Sequence, residues 1–299
     1  MSKTIKDVNE EYLLLLDSPE YKLGKYIKLL KNSIKKKQLI SNLKMIRRLM
    51  KLKKTKGKIN RFQNGNNNHK DSNKKIAVYT VLFGNYDQIR NIYVKPNNCD
   101  FFIITDQIVP DDSDWTCVKL TNEEKSLIES MSAIEKNRYF KMLGSNNFKN
   151  YDYTIYIDAN LEIYGNLNSM LQYVDGETGL AMYNHSSRGD IYNEAKACKI
   201  QKKGNYEAIY EQVEHYQSEG MPINFGMCEC CVIVRDLKNK NSFKLLSSWW
   251  NEFLKWRSYR DQIAWPYIVW KDGYSINSIG CLGENIAVDG NFRRYNHGG

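Results

Sequence analysis

Asp158-Ala159-Asn160 sets a carboxylate and an amide oxygen two residues apart, directly after the apolar run Tyr153-Thr154-Ile155-Tyr156-Ile157. In an extended segment, residues i and i+2 point the same way, so the two oxygens would meet at one sheet edge. Such hard oxygens suit a magnesium or manganese ion that keeps positions open for phosphate oxygens. Asp and Asn also end strands and begin turns, and both readings of the tripeptide stand. Upstream, Leu127, Met131 and Ile134 mark a helical stripe whose continuation reaches Arg138 and Lys141, two cations where apolar residues are expected. They either snorkel outward or reach the site, where they would neutralise a diphosphate or grip a base and ribose.

Three further groups carry chemistry. His185 and Arg188 follow the apolar stretch Leu180-Ala181-Met182-Tyr183, with Glu194 beyond. A lone histidine is commonly structural, whereas this set suits contact with a polyhydroxylated or anionic acceptor. Asp261, in Arg260-Asp261-Gln262, stands where a helix begins; it is an N-cap or a general base, and Glu229 is a second carboxylate for that role. The nearby Trp249, Trp250, Trp265 and Trp270 read as core rather than as a sugar platform. Phe83-Gly84-Asn85-Tyr86 offers one glycine where a dinucleotide fold has three, and no lysine follows a glycine-rich turn. That excludes the common NAD and ATP loops.

The elements that must hold these residues are legible. Ile76-Ala77-Val78-Tyr79-Thr80-Val81-Leu82-Phe83 is continuously apolar and β-branched, as in a strand buried on both faces. Phe101-Phe102-Ile103-Ile104-Thr105 and Tyr153-Thr154-Ile155-Tyr156-Ile157 repeat the pattern, ending at Asp106 and Asp158. One helix is expected between them, roughly from Glu123 to Leu143. Alternating strands and helices predict an α/β domain with a mostly parallel sheet, which binds ligands beyond the carboxyl ends of its strands.

Charge divides the chain. Residues 1–75 hold 21 Lys/Arg against 6 Asp/Glu, a balance of +15, and the remaining 224 hold 23 against 28, a balance of −5. Residues 1–58 therefore read as a basic amphipathic helical region, 59–75 as an Asn-rich linker, and 76–299 as the catalytic domain. A basic helical region suits an anionic membrane surface, nucleic acid, another protein or its own domain; its scarcity of aromatics argues against single-stranded nucleic acid. No apolar run approaches the roughly 20 residues of a membrane-spanning helix, and no signal peptide is evident. With seven cysteines in no regular framework, the expected location is the cytoplasm. Cys228-Glu229-Cys230-Cys231 lacks the second ligand pair of a zinc site.

Taken in order, these segments resemble a known family. They are Tyr79-Thr80-Val81-Leu82-Phe83-Gly84-Asn85-Tyr86-Asp87, Asp100-Phe101-Phe102-Ile103-Ile104-Thr105-Asp106, Tyr156-Ile157-Asp158-Ala159-Asn160, His185-Ser186-Ser187-Arg188 with Ile191-Tyr192-Asn193-Glu194-Ala195, Pro222-Ile223-Asn224-Phe225-Gly226 and Arg260-Asp261-Gln262. The family is the glycosyltransferase-like one of bacterial polysaccharide loci and plant mucilage and cell-wall proteins, formerly a domain of unknown function. The resemblance implies a GT-A fold, a nucleotide-sugar donor (a UDP-sugar first among them), and a divalent cation (Mn2+ or Mg2+) at an Asp-x-Asp-like motif. It implies Thr80 and Asp106 near the base, Arg138 and Lys141 near ribose or phosphates, and Asp158 and Asn160 at the metal. His297 is the one late candidate for a third metal ligand, a role that a C-terminal histidine fills in some related GT-A families. Asp261 would face the acceptor, with His185, Arg188 and Gln262 as contacts. Bacterial surface polysaccharide synthesis is the expected setting, with a saccharide or lipid-linked saccharide acceptor at the inner face of the cell membrane. The competing expectation is a non-catalytic saccharide- or nucleotide-binding partner in such an assembly.

Overall fold

The computed structural model describes residues 74–297. The expected helical region 1–58 and nearly all of the 59–75 linker lie outside the described residues. Seven strands form the main sheet: β1 (Ile76–Leu82), β2 (Cys99–Thr105), β3 (Thr116–Cys117), β4 (Tyr153–Ile157), β6 (Leu180–Asn184), β7 (Cys228–Asp236) and β8 (Gly280–Cys281). Their order is β3-β2-β1-β4-β7-β6-β8. Antiparallel pairing is confined to β7 with its neighbours β4 and β6, and every other pairing is parallel. The mostly parallel α/β sheet expected from the sequence is thus present. Two short strands, β5 (Leu161–Ile163) and β9 (Phe292–Arg294), pair separately.

Every residue of β1 is buried. Side chains alternate across the sheet, so Ala77, Tyr79 and Val81 enter one core cluster while Ile76, Val78 and Leu82 enter the other. The first cluster takes in α5 (Lys240–Trp256) and α6 (Asp261–Lys271). Trp249 and Trp265 are among its largest fully buried side chains, so the tryptophans are core, as expected. All seven cysteines are free, five of them buried. Among the described residues no helix is long and apolar enough to cross a membrane.

The single helix expected from Glu123 to Leu143 is instead two helices, α1 (Asn122–Ile128) and α2 (Ala133–Leu143). Each opens with its own capping box, Thr121 with Glu124 and Ser132 with Glu135, and the second restarts the helical phase. The expected inward stripe is wrong at two of its three residues: Leu127 is 50% and Ile134 45% exposed.

The end of α2 is held with unusual completeness. The last four carbonyls of a helix lack partners within it. The Tyr79 hydroxyl donates to the carbonyls of Phe140 (3.0 Å) and Lys141 (3.2 Å). Arg235 donates from Nη1 to Leu143 (3.1 Å) and from Nη2 to Met142. A guanidinium here also complements the negative end of the helix dipole. Replacing Arg235 with methionine would orphan two buried carbonyls, at a cost of about 3 kcal/mol. The thermal midpoint should fall by roughly 6–12 °C, read by circular dichroism. An unchanged midpoint would show that the cap contributes nothing.

Candidate functional site

The site lies where β4 and β7 end and begin beside α2 and α6. Asp158 follows β4, its amide bonded to the Cys231 carbonyl at 2.8 Å. The segment is a turn rather than extended, because the Leu161 amide bonds back to the Asp158 carbonyl at 3.0 Å. Asp158 Oδ1 accepts from the Tyr156 hydroxyl (2.7 Å) and lies 3.4 Å from Lys141 Nζ. Its Oδ2 accepts no hydrogen bond from the described residues, and the side chain is 25% exposed.

Asn160 is buried, and the far end of the chain clasps it. Its Nδ2 donates to the Tyr295 carbonyl, and its carbonyl accepts from the Tyr295 amide, both at 2.9 Å. Asn160 Oδ1 is buried with no hydrogen-bond partner among the described residues. Asp158 Oδ2 and Asn160 Oδ1 are therefore two uncommitted hard oxygens on one turn, a donor set that fits a divalent cation whose remaining ligands come from phosphate and water. His297 pairs through Nδ1 with Asp87 Oδ2 at 2.9 Å and packs against the Tyr86 ring. Among the described residues no three His, Cys, Asp or Glu side chains form a metal-holding group.

Arg138 and Lys141 do face this site. Lys141 Nζ lies 2.8 Å from Asp261 Oδ2, and Arg138 Nε lies 3.3 Å from the same oxygen. Burial alone would raise the Asp261 pKa, but Arg138 and then Lys141 overturn that and hold it far below the usual carboxylate range. Burial opposes the Lys141 charge, yet Asp158 and Asp261 leave its pKa raised. Asp261 is the first residue of α6, and Arg260 holds the cap position without a side-chain capping bond, so the N-cap reading of Asp261 fails. Trp249 Nε1 pins the Asp261 carbonyl at 2.8 Å. Arg257 and Tyr259 adopt left-handed φ of 49° and 58° in the tight turn from α5. A carboxylate fixed this way between two cations is poorly suited to accept a proton.

Beyond Asp261 lies a second charged group. A bulge between β6 and β7 shifts the register at Tyr183, which pairs with Glu229. His185, just past β6, places Nε2 3.9 Å from Glu229 Oε2 and 3.8 Å from Glu194 Oε2. Its Nδ1 accepts from the amides of Ser187 and Arg188, which curls the loop. Burial lowers the His185 pKa, so the ring is neutral at pH 7 despite its acidic neighbours. Buried Glu194, on α3 (Ile191–Ile200), accepts from Arg188 Nε and from Arg260 Nη2 (2.9 Å). Glu229 accepts from Arg294 Nη1 at 2.9 Å. Gln262 Nε2 donates to the Cys228 carbonyl at 3.0 Å.

Two expected residues stand apart from these groups. Thr80 is buried in β1 on the face of Val78 and Leu82, opposite the face that α2 covers, and its hydroxyl has no hydrogen-bond partner among the described residues. Asp106, just past β2, accepts from the Gly84 amide at 3.2 Å. Gly84 has a φ of 80°, and a Cβ there would lie 2.8 Å from the Ala133 side chain. Asp106 thus fastens the loop on which α2 rests. Sequence reasoning gave no role to Tyr156, Arg294 or Tyr295. Tyr156 was findable, since it shares a strand face with Asp158. Nothing local marks the other two.

An α/β sheet with paired cations and carboxylates at the carboxyl end of a central strand is the frame in which the comparisons fall. Residues 46–278, most of the chain, match the model of the TOD1/MUCI70, glycosyltransferase-like domain, and the protein belongs to that family. Ras-related protein RABG3b of Arabidopsis thaliana is 36% identical over 77 residues, 26% of this chain and 32% of that protein. The chain thus spans about a third of the length of that relative. The WbbM bifunctional glycosyltransferase aligns over 70% of this chain and 39% of its own, at 11% identity and a TM-score of 0.42. The galactosyltransferase LgtC, solved with donor and acceptor sugar analogs, aligns over 64% and 70%, at 14% identity and a TM-score of 0.36.

Proposed function

We propose that this protein transfers a glycosyl group from a nucleotide-sugar donor to a saccharide acceptor. The observation that carries the reading is the meeting of Arg138, Lys141, Asp158 and Asp261 within a glycosyltransferase-like domain. The acceptor oxygen bonds to the anomeric carbon while the bond from that carbon to the β-phosphate oxygen breaks. The nucleoside diphosphate leaves with the electron pair, and the acceptor proton passes to a carboxylate. Arg138 and Lys141 stabilise charge as it develops on the leaving group, in a site already oriented for it. A divalent cation, held by Asp158 and Asn160, would add further charge stabilisation there. Asp261 keeps the two cations aimed. Glu229, with one cationic partner and an oxygen turned toward neutral His185, is better suited than Asp261 to take the proton.

A UDP-sugar is the donor to try first, with a saccharide or lipid-linked saccharide as acceptor. The setting we favour is bacterial surface polysaccharide synthesis at the cytoplasmic face of the membrane, with basic residues 1–58 toward anionic lipid. Support comes from the charge balance of that segment and from the family. Thermal shift with UDP-, GDP- and CMP-sugars, with and without manganese, should reveal one preferred nucleotide, and slow hydrolysis of that donor should follow. Tight binding of a donor with neither hydrolysis nor transfer would instead support a non-catalytic binding partner.

A further inference from the structure

The charged group around His185 is not self-balanced. Three guanidiniums, those of Arg188, Arg260 and Arg294, pair with two carboxylates, Glu194 and Glu229, while Asp261 near Arg260 and Asp158 near Arg294 are already matched by Arg138 and Lys141. His185, between those carboxylates, is neutral and offsets nothing. Lys203 also lies near this group, and burial first and then Arg260 lower its pKa. Both Glu194 oxygens are taken, one by each arginine, so that buried carboxylate fixes Arg188 through Nε and leaves its terminal fork. The two terminal nitrogens of Arg188 make no hydrogen bond among the described residues, and the side chain is 21% exposed. Arg294 commits Nη1 to Glu229 and leaves Nη2 and Nε without a bond among the described residues, at 41% exposure. An outward guanidinium fork held by its inner edge matches the two oxygens of a carboxylate or phosphate.

We propose that this part of the site selects a saccharide bearing an anionic oxygen group, a sugar carboxylate or a sugar phosphate, gripped by Arg188 and Arg294. The inference rests on the reading that the site takes a saccharide, but it concerns binding and needs no turnover. The two arginines stand on the carboxylates either side of His185. The anion therefore lies against the residue that would receive the acceptor proton, and its charge balances the third guanidinium.

The test is an NMR titration of the full chain at low salt, without donor, using methyl glucuronoside, methyl glucoside and glucose 6-phosphate. At least one anionic probe should bind about tenfold or more tightly than methyl glucoside, and added salt should weaken it. The stronger of the two identifies carboxylate or phosphate as the group read. Arg188→Gln should abolish the preference and Arg188→Lys should restore part of it, while UDP affinity, set by the other half of the site, stays as in the parent. If Arg188→Gln fails to fold, Arg294→Gln, on an exposed side chain, carries the comparison. Equal binding of neutral and anionic probes, no binding of any probe, or a preference that survives both glutamine variants overturns the proposal. Selective anion binding with no transfer to any acceptor would overturn the transferase reading and leave this one standing.

Discussion

Asp158→Ala is expected to lower glycosyl transfer by about a thousandfold, with a fall in thermal midpoint of only roughly 2–8 °C. Its two effects separate because the surroundings of Asp158 are redundant for folding and not for chemistry. Lys141 keeps Asp261 as a partner at 2.8 Å, and the turn is held by backbone bonds to Cys231 and Leu161. What disappears is the uncommitted Oδ2 and the negative charge beside Lys141. Product release in a donor-hydrolysis and transfer assay measures the loss. Activity within threefold or so of the parent would remove Asp158 from the chemistry.

Asp261→Asn should behave in the opposite way, with stability as its leading effect. The variant leaves Arg138 and Lys141 facing an uncharged amide, with Lys141 buried. Breaking a buried ion pair from one side costs about 3–5 kcal/mol. The midpoint should drop by roughly 6–20 °C, and transfer should fall with it. The folded-state pKa of Asp261 is depressed, so its stabilisation is fully present above the unfolded value of about 3.9 and is lost as pH falls through the folded one. The gap between parent and variant should therefore be constant near neutrality and narrow below about pH 4. Unfolding in urea across that range tests it. A variant as stable as the parent but inactive would restore Asp261 as the proton acceptor.

Strands were legible because a parallel strand covered on both faces must be apolar at every position, as β1 is. Their ends were legible through Asp106 and Asp158, polar residues that stop such runs. The helix break was available too, since Ser132 with Glu135 is a capping box, but a long 3.6-residue rhythm through Leu127 and Ile134 obscured it. Of the two readings of Arg138 and Lys141, outward snorkelling or reaching inward, the inward one matches the structure for a different reason: the phase of α2 is set by Ser132 and by the caps from Tyr79 and Arg235, not by the residues before the break. The tripeptide at 158–160 was placed correctly at a strand end, and its turn was one of the two readings. What stayed hidden was pairing over distance. Asp261 as the mate of both cations, Arg294 on Glu229 and Tyr295 on Asn160 each join segments far apart in the chain, and no local spacing encodes them.

The clasp between Tyr295 and Asn160 has a kinetic side. It joins residues 135 apart, and contacts of that span repay their loop-closure entropy late. The main sheet involves neither β5 nor β9, so its hydrogen bonding can be complete while the turn bearing Asp158 still lacks its fastening. The turn that bears Asp158 is thus fastened by a contact separate from the hydrogen bonding of the main sheet.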